Sequence, residues 1–301
     1  MNQYLYLFFT LIILGCSPAQ SQHEPSTEQS EEVIEPLVEK FDPAAHFIAD
    51  RSEIVKALQE KVDRQEPLVA HCFVPLCDNK HQGIVPTSPS LGDGFSLRTN
   101  LYWATSYGMK KYFQKSKDWK MLEISFTATD TVMERVAFQR EFENGATVIL
   151  VCDAYRGDQM AACLDDYLNA LGGNRCDSIF YRDHFVPISG GADLLAFNGH
   201  NGLMDVSADT VYAKKPRQKD AVVIACSSHN YFNPYFVQTQ SYPLLNTTSL
   251  LWPGAMILNA VIEKWAVFSE DEAIRNAAGD AYHEVKDCGR QAARNMFITG
   301  W

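Results

Sequence analysis

The chain has 301 residues, with 26 Lys and Arg against 37 Asp and Glu, a formal net charge of −11 and 46% hydrophobic residues. This composition is typical of globular proteins and differs from that of disordered or fibrous chains. Because a net-negative chain without a long run of Lys or Arg has no general attraction for phosphate backbones, we expect no nucleic-acid partner.

The first 15 residues contain no charged side chain, and the apolar run within them is about half as long as a membrane span. The run ends in Ile13-Leu14-Gly15-Cys16, which resembles the bacterial lipobox. The resemblance implies a cleaved signal peptide over residues 1–15 and a lipid anchor on Cys16 that holds the protein at a membrane of the cell envelope. Ser17 resembles lipoproteins that are forwarded to the outer membrane. The alternative is an ordinary secretory signal with an incidental cysteine.

Residues 16–43 hold seven acidic residues and one lysine in a stretch rich in Ser, Gln, Glu and Pro. This composition predicts a solvated, disordered tether. We expect residues 44–301 to form one α/β domain, with an N-terminal part at 44–144 and a motif-bearing part at 145–301. Nothing in the sequence indicates the oligomeric state.

The N-terminal part of the domain is predicted to begin with a helix and then to alternate. Asp50 followed by Glu53 is a capping-box pattern ahead of apolar residues that share one helical face. The patterns that follow predict a buried strand over 67–77, a Gly/Pro/Ser-rich loop over 78–100, an aromatic-rich helix over 101–115 and a strand over 119–127, whereas 133–143 is ambiguous.

The motif-bearing part continues the alternation. The patterns predict a strand over 146–153, a helix over 159–171 closed by Gly172-Gly173, strands over 193–198 and 220–226, and helices that begin at Pro253 and Ser269. Alternating strands and helices predict an α/β fold with a mostly parallel sheet flanked by helices on both faces.

Three of the predicted strands end in polar sequences, at the edge of a parallel sheet where ligands bind. These sequences are Cys152-Asp153-Ala154-Tyr155-Arg156-Gly157-Asp158, Asn198-Gly199-His200-Asn201-Gly202 and Ala225-Cys226-Ser227-Ser228-His229. The second and third place a histidine and a cysteine at one edge. Nucleophilic thiol catalysis needs this combination, because a base or cationic neighbour must raise the fraction of thiolate.

A hydrophobic strand that ends in Gly-His, followed by one that ends in Ala-Cys, resembles the caspase-like fold of clan CD cysteine peptidases. The resemblance covers roughly residues 145–268 and implies a three-layer sandwich. It further implies that His200 handles the proton, that Cys226 attacks a peptide carbonyl, and that the backbone N–H groups of Cys226 and Gly202 hold the oxyanion. The family usually has glycine directly after the histidine, whereas Asn201 stands there in this chain.

Asp78, Asn79, Asp153 and His229 are predicted to contact substrate in the same cleft. Asp78 and Asn79 follow the first strand, and His229 fits a supporting position better than that of the base. Asp153 together with Asp158 could form an acidic pocket for a Lys or Arg side chain, and the alternative for Asp158 is that it caps the next helix.

The cysteines and histidines between His71 and His81 do not predict a metal site, because no second cysteine pair of like spacing follows them. We also predict no cofactor, since the chain has no P-loop and no other cofactor or metalloprotease motif. Seven cysteines remain besides Cys16, so at least one thiol should stay free or pair between molecules in an oxidising envelope.

The sequence therefore favours an envelope-anchored, cysteine-dependent hydrolase that acts on a peptide or protein substrate through His200 and Cys226. The alternative is a non-catalytic lipoprotein that binds a peptide or protein partner in the envelope.

Overall fold

A computed structural model describes residues 50–209, 211, 213 and 217–301. The predicted signal peptide, Cys16 and the tether therefore lie outside the described residues. No helix within the described ranges is long and apolar enough to cross a membrane.

The described residues alternate between helices and strands. The helices are α1 (Arg51–Asp63), α2 (Met109–Lys115), α3 (Met160–Leu171), α4 (Ser228–Thr239), α5 (Ala255–Trp265), α6 (Asp271–Lys286) and α7 (Arg290–Asn295). The strands are β1 (Leu68–Pro75), β2 (Lys120–Leu122), β3 (Val132–Glu141), β4 (Thr147–Tyr155), β5 (Cys176–Tyr181), β6 (His184–Ser189), β7 (Leu194–Asn198), β8 (Asp220–Ile224), β9 (Tyr242–Thr247) and β10 (Phe297–Ile298).

Eight of these strands form one sheet in the order β10-β9-β8-β7-β1-β4-β3-β2. The five central strands, from β9 to β4, run parallel. The pairs at the two edges are antiparallel. Strands β5 and β6 form a separate hairpin. The predicted α/β fold with a mostly parallel sheet is confirmed.

Both faces of the sheet are covered, which explains why its central strands are continuous apolar runs. Strand β1 is buried at all eight positions. Its alternate residues Leu68 and Ala70 belong to the core under α1, α2, α5 and α6. Val69 and Phe73 belong to the core under α3 and α4. The result is a three-layer sandwich.

The first helix begins as its capping residue predicts, because the Asp50 carboxylate accepts a hydrogen bond of 2.9 Å from the backbone N–H of Ser52. The predicted helix over 101–115 is wrong in its first half, where the chain forms turns. The cause is Asn100, a buried side chain that accepts from the backbone of Cys77 and Tyr102 and donates to the Cys77 carbonyl at 2.8 Å. These bonds tie the chain to the end of β1 in place of a helical ladder.

Other boundaries differ from the prediction. The ambiguous segment 133–143 is strand β3, and the strand predicted over 119–127 is only β2. The last two predicted helices begin two residues later than expected, at Ala255 and Asp271. The strand predicted over 220–226 ends at Ile224, which leaves Cys226 in a turn.

Candidate active site

His200 and Cys226 lie at one edge of the sheet, beyond the carboxyl ends of two adjacent parallel strands. Asn198 at the end of β7 pairs with Ile224 at the end of β8, so each candidate residue stands two positions past its strand. The strand order reverses between β1 and β7, and this switch point is where open α/β sheets form a binding crevice.

The imidazole of His200 is oriented by an acidic residue that the sequence analysis missed. His200 is only 7% exposed, and its Nε2 donates to Oδ2 of Asp205 at 2.7 Å. Because an ionised carboxylate only accepts, the neutral ring carries its proton on Nε2 and keeps a lone pair on Nδ1. The signal in the sequence is an aspartate five residues after the histidine in the same loop.

Asp205 is itself held by the loop that follows β1. Its Oδ2 also accepts from the backbone N–H of Gly83 at 2.9 Å. A Cβ atom on Gly83 would stand 2.4 Å from Oδ1 of Asp205, so a larger residue there would push the carboxylate away from its present position. The backbone of the loop after β1 therefore contacts the residue that orients His200.

Asn201 ties the two motif loops together. Its side chain is buried, and Nδ2 donates to the backbone carbonyl of Cys226 at 2.7 Å. Its Oδ1 accepts from the backbone N–H of Leu203 at 3.2 Å. The residue that departs from the caspase-like pattern thus fixes the backbone at the candidate nucleophile.

The thiol of Cys226 is half-buried and donates to the backbone carbonyl of Leu251, with an Sγ to oxygen distance of 3.5 Å. Within the described residues, no hydrogen bond joins this thiol to the His200 imidazole. The thiol therefore bonds the loop after β9.

The turn between β8 and α4 is strained. Ser227 has φ 45° and ψ 35°, a left-handed conformation that costs a non-glycine residue about 1–2 kcal/mol. Two bonds hold it, from the N–H of Ser227 to the Ser249 carbonyl at 3.0 Å and from the N–H of Ser228 to Thr247 Oγ1 at 3.1 Å. The turn places Cys226 directly ahead of a helix.

Gly202, the predicted oxyanion donor, begins a short 3-10 helix that packs against α3. A Cβ atom there would stand 2.4 Å from the Met160 sulfur and 3.1 Å from Leu164. Close packing therefore accounts for glycine at this position. The oxyanion roles of Gly202 and of the Cys226 N–H stay predictions.

The polar groups of Asp78 and Asn79 are used within the loop after β1. The Asp78 carboxylate accepts from the N–H of Lys80 at 2.8 Å and contacts His81 Nδ1 at 2.9 Å. Asn79 bonds both the N–H and the carbonyl of Thr87. Their predicted contact with substrate would compete with these bonds.

The carboxylates of Asp153 and Asp158 are each paired with an arginine of the chain itself. Asp153 is buried, accepts two bonds of 2.6 and 2.7 Å from Arg135, and lies 3.1 Å from His71 Nε2. Burial raises the pKa of Asp153, but His71 and Arg135 outweigh it and bring the pKa to about 2.

Asp158 forms two bonds with Arg156, at 3.0 and 2.7 Å. The alternative that Asp158 caps the following helix is wrong, because α3 begins after Gln159 without a side-chain cap. Neither aspartate presents a free carboxylate to a Lys or Arg of a substrate.

His229 stands in the first turn of α4 and is half-buried. Its Nδ1 contacts the side-chain amide of Asn233 at 3.0 Å. Burial lowers the pKa of His229, so its neutral form is favoured at physiological pH.

The seven described cysteines are all free thiols. Cys176 and Cys288 are exposed and Cys226 is half-buried, whereas the other four are buried. Burial raises the pKa of Cys77 to about 11, so that thiol is unreactive at neutral pH. In the described part of the chain, no group of three or more His, Cys, Asp or Glu side chains comes together to hold a metal.

Asn198 carries a buried amide at the switch point between β7 and β1. The residue is 1% exposed, and neither Nδ2 nor Oδ1 has a hydrogen-bond partner among the described residues. An unsatisfied buried polar group costs about 1–3 kcal/mol.

No known protein family, no curated protein and no solved structure matches this chain.

Proposed function

We propose that the protein is a cysteine-dependent hydrolase of peptides or amides, with Cys226 as nucleophile, His200 as base and Asp205 as the residue that orients the base. The observation that carries the proposal is the bond of 2.7 Å from His200 Nε2 to Asp205. It lies at the same edge of the sheet as Cys226, which stands in the turn after the adjacent strand. This bond leaves the basic lone pair on Nδ1, which is the atom that can accept a proton from a thiol.

The chemistry follows from these roles. Once the thiol leaves the Leu251 carbonyl, it gives its proton to His200 Nδ1, and the thiolate sulfur attacks the substrate carbonyl carbon. The C–N bond then breaks, the amine leaves with the proton from His200, and water hydrolyses the thioester with His200 as base. Asp205 stabilises the imidazolium that forms in both halves of the reaction.

The caspase-like resemblance is part of the same proposal. It is supported by the placement of the histidine and cysteine loops after adjacent parallel strands, with the histidine loop nearer the switch point. An anchor on Cys16 would place the substrate, a peptide or protein, at a membrane of the cell envelope, in the outer membrane as Ser17 suggests.

A second candidate is a non-catalytic protein that binds a peptide or protein partner at the same edge. The observation in its favour is that the Cys226 thiol bonds Leu251 and makes no hydrogen bond to His200 within the described residues. If the Cys226 thiol never contacts the His200 imidazole, the edge could bind a ligand without catalysing a reaction.

Peptide acyloxymethyl ketones, which alkylate an activated thiolate, separate the two candidates. The protein should carry Cys176→Ser and Cys288→Ser, because those two exposed thiols would otherwise react. We expect labelling at Cys226, loss of labelling in Cys226→Ala, and a rate reduced roughly 100- to 10,000-fold in His200→Ala.

Two outcomes would count against the enzyme. An unchanged rate in His200→Ala would remove the base from the mechanism. A folded protein whose Cys226 resists every ketone, although it binds the corresponding peptides, would establish the binding protein instead.

A further inference from the structure

A chain of buried polar side chains stands behind His229. Asn246 Nδ2 donates to Asn233 Oδ1 at 2.8 Å, and Asn233 Nδ2 donates to His229 Nδ1 at 3.0 Å. At the far end, the Ser228 hydroxyl lies 3.3 Å from Asn246 Oδ1. Ser228, Asn233 and Asn246 are at most 1% exposed, whereas His229 is half-buried, so the chain leads from the core to the surface at His229.

This chain determines which nitrogen of His229 carries the proton. Because Nδ1 accepts from Asn233, the neutral ring has its hydrogen on Nε2. The Nε2 atom has no hydrogen-bond partner among the described residues. His229 therefore presents a donor, whereas His200, with Nε2–H bonded to Asp205, keeps an acceptor at Nδ1.

The two histidines follow adjacent strands at the same edge of the sheet, His200 in a loop and His229 in the first turn of α4. His200 follows β7, and His229 comes three residues after Cys226 in the segment that follows β8. Both neutral rings carry their hydrogen on Nε2, but they leave different nitrogens available: the Nδ1 acceptor of His200 suits the acceptance of a thiol proton, and the Nε2–H donor of His229 suits a hydrogen bond to substrate. A neutral donor binds a carbonyl oxygen and offers nothing to a cationic side chain.

We infer that His229 is a substrate-binding residue that donates from Nε2 to an acceptor oxygen on the substrate, and that the site prefers side chains with a carbonyl group to basic ones. The inference rests on the proposed function for the position of the substrate. It also agrees with the pairing of Asp153 and Asp158 to Arg135 and Arg156, which leaves neither carboxylate for a basic side chain.

The tautomer can be tested without any reaction. Long-range ¹H–¹⁵N correlation spectra of the full chain at pH 7.5 should show His229 with a protonated Nε2 and an unprotonated Nδ1. His184 is an internal control, because its Nδ1 contacts the Arg182 carbonyl at 2.8 Å and must donate, which gives the opposite tautomer. A protonated Nδ1 on His229 would overturn the inference.

The selectivity can be tested in Cys226→Ala, which binds without chemistry. We would titrate N-acetylated hexapeptide amides that differ only in a central Gln, Met or Lys, three side chains of similar length. One neutral hydrogen bond predicts that the Gln peptide binds about threefold to tenfold more tightly than the Met and Lys peptides.

Two further variants identify the donor. His229→Gln places an amide donor near the position of Nε2 and should keep the preference, whereas His229→Leu should abolish it. Equal affinities for the Gln and Met peptides, tighter binding of the Lys peptide, an unchanged preference in His229→Leu, or no binding at all would each overturn the inference. Because these readouts need no thiol, a preference for Gln together with an unreactive Cys226 would refute only the hydrolase.

Discussion

Asp153 and Asp158 provide a matched test of what burial contributes to an ion pair. Both carboxylates bond one arginine twice, with distances of 2.6 and 2.7 Å for Asp153 and of 3.0 and 2.7 Å for Asp158. They differ mainly in exposure, since the side chains of Asp153 and Arg135 are 1% and 9% exposed while those of Asp158 and Arg156 are 22% and 32% exposed. Asp153 also has a second neighbour, His71, whose Nε2 lies 3.1 Å away.

Replacement of each aspartate by alanine should therefore have unequal costs. Asp153→Ala leaves a buried guanidinium whose one remaining ionic partner among the described residues is Asp177, at 2.8 Å. We expect the free energy of unfolding to fall by about 3–5 kcal/mol, the usual cost of breaking a buried pair. Asp158→Ala removes a solvent-screened pair and should cost about 0–1 kcal/mol.

The pH dependence of the free energy of unfolding gives a second estimate of what the Asp153 carboxylate contributes. The pKa of Asp153 is about 2 in the folded chain, against roughly 3.9 in an unfolded one. Because the folded pKa is the lower, the carboxylate stabilises the protein fully above about pH 4 and loses this contribution as the pH falls towards 2. The difference corresponds to about 2–3 kcal/mol. In Asp153→Asn this part of the acid sensitivity should vanish.

Urea denaturation of the full chain, followed by near-ultraviolet circular dichroism at pH 7 and between pH 2 and 5, measures both quantities. Equal losses in Asp153→Ala and Asp158→Ala would refute the argument from burial. A loss below about 1 kcal/mol in Asp153→Ala would show that Asp177 and water replace the lost partner.

Three other predictions follow from the described contacts. Asp205→Asn should change the free energy of unfolding by less than about 1 kcal/mol but slow the labelling of Cys226 roughly 100- to 10,000-fold, because an amide no longer fixes the His200 tautomer. An unchanged labelling rate would contradict the role of Asp205. Asn198→Leu removes an amide without partners among the described residues and should raise the free energy of unfolding by about 1–3 kcal/mol in urea; a loss would mean that the amide is satisfied in solution. Burial raises the pKa of Asp220 to about 6, so stability should fall as the pH rises from 4 to 6, and this slope should be absent in Asp220→Asn.

Much of the fold could be predicted because buried parallel strands leave a strong mark in sequence. The runs at 146–153, 193–198 and 220–226 are apolar without alternation, and each became a central strand of the sheet. The ends of these runs then gave the edge on which His200 and Cys226 lie. Ligands bind beyond the carboxyl ends of parallel strands, so the site can be located once the strand directions are known. The alternation of strand and helix patterns along the chain indicated that the strands run parallel.

The remaining features depend on contacts between segments that are distant in sequence. The pairing of Asp153 with Arg135 requires that β3 and β4 be neighbours, and the ambiguous pattern of β3 concealed this. The turns after Asn100 arise from bonds to Cys77, 23 residues away. Asp205 looked like an ordinary loop residue, because its role comes from the direction in which the His200 ring faces.

The bond from Asn201 holds residue 226 by its backbone carbonyl and leaves the side chain out of the interaction. Cys226→Ala and Cys226→Ser should therefore leave the main chain of this turn in place. Variants at this position would then present ligands with the same backbone as the natural chain, so co-crystals grown with them would represent the native complex.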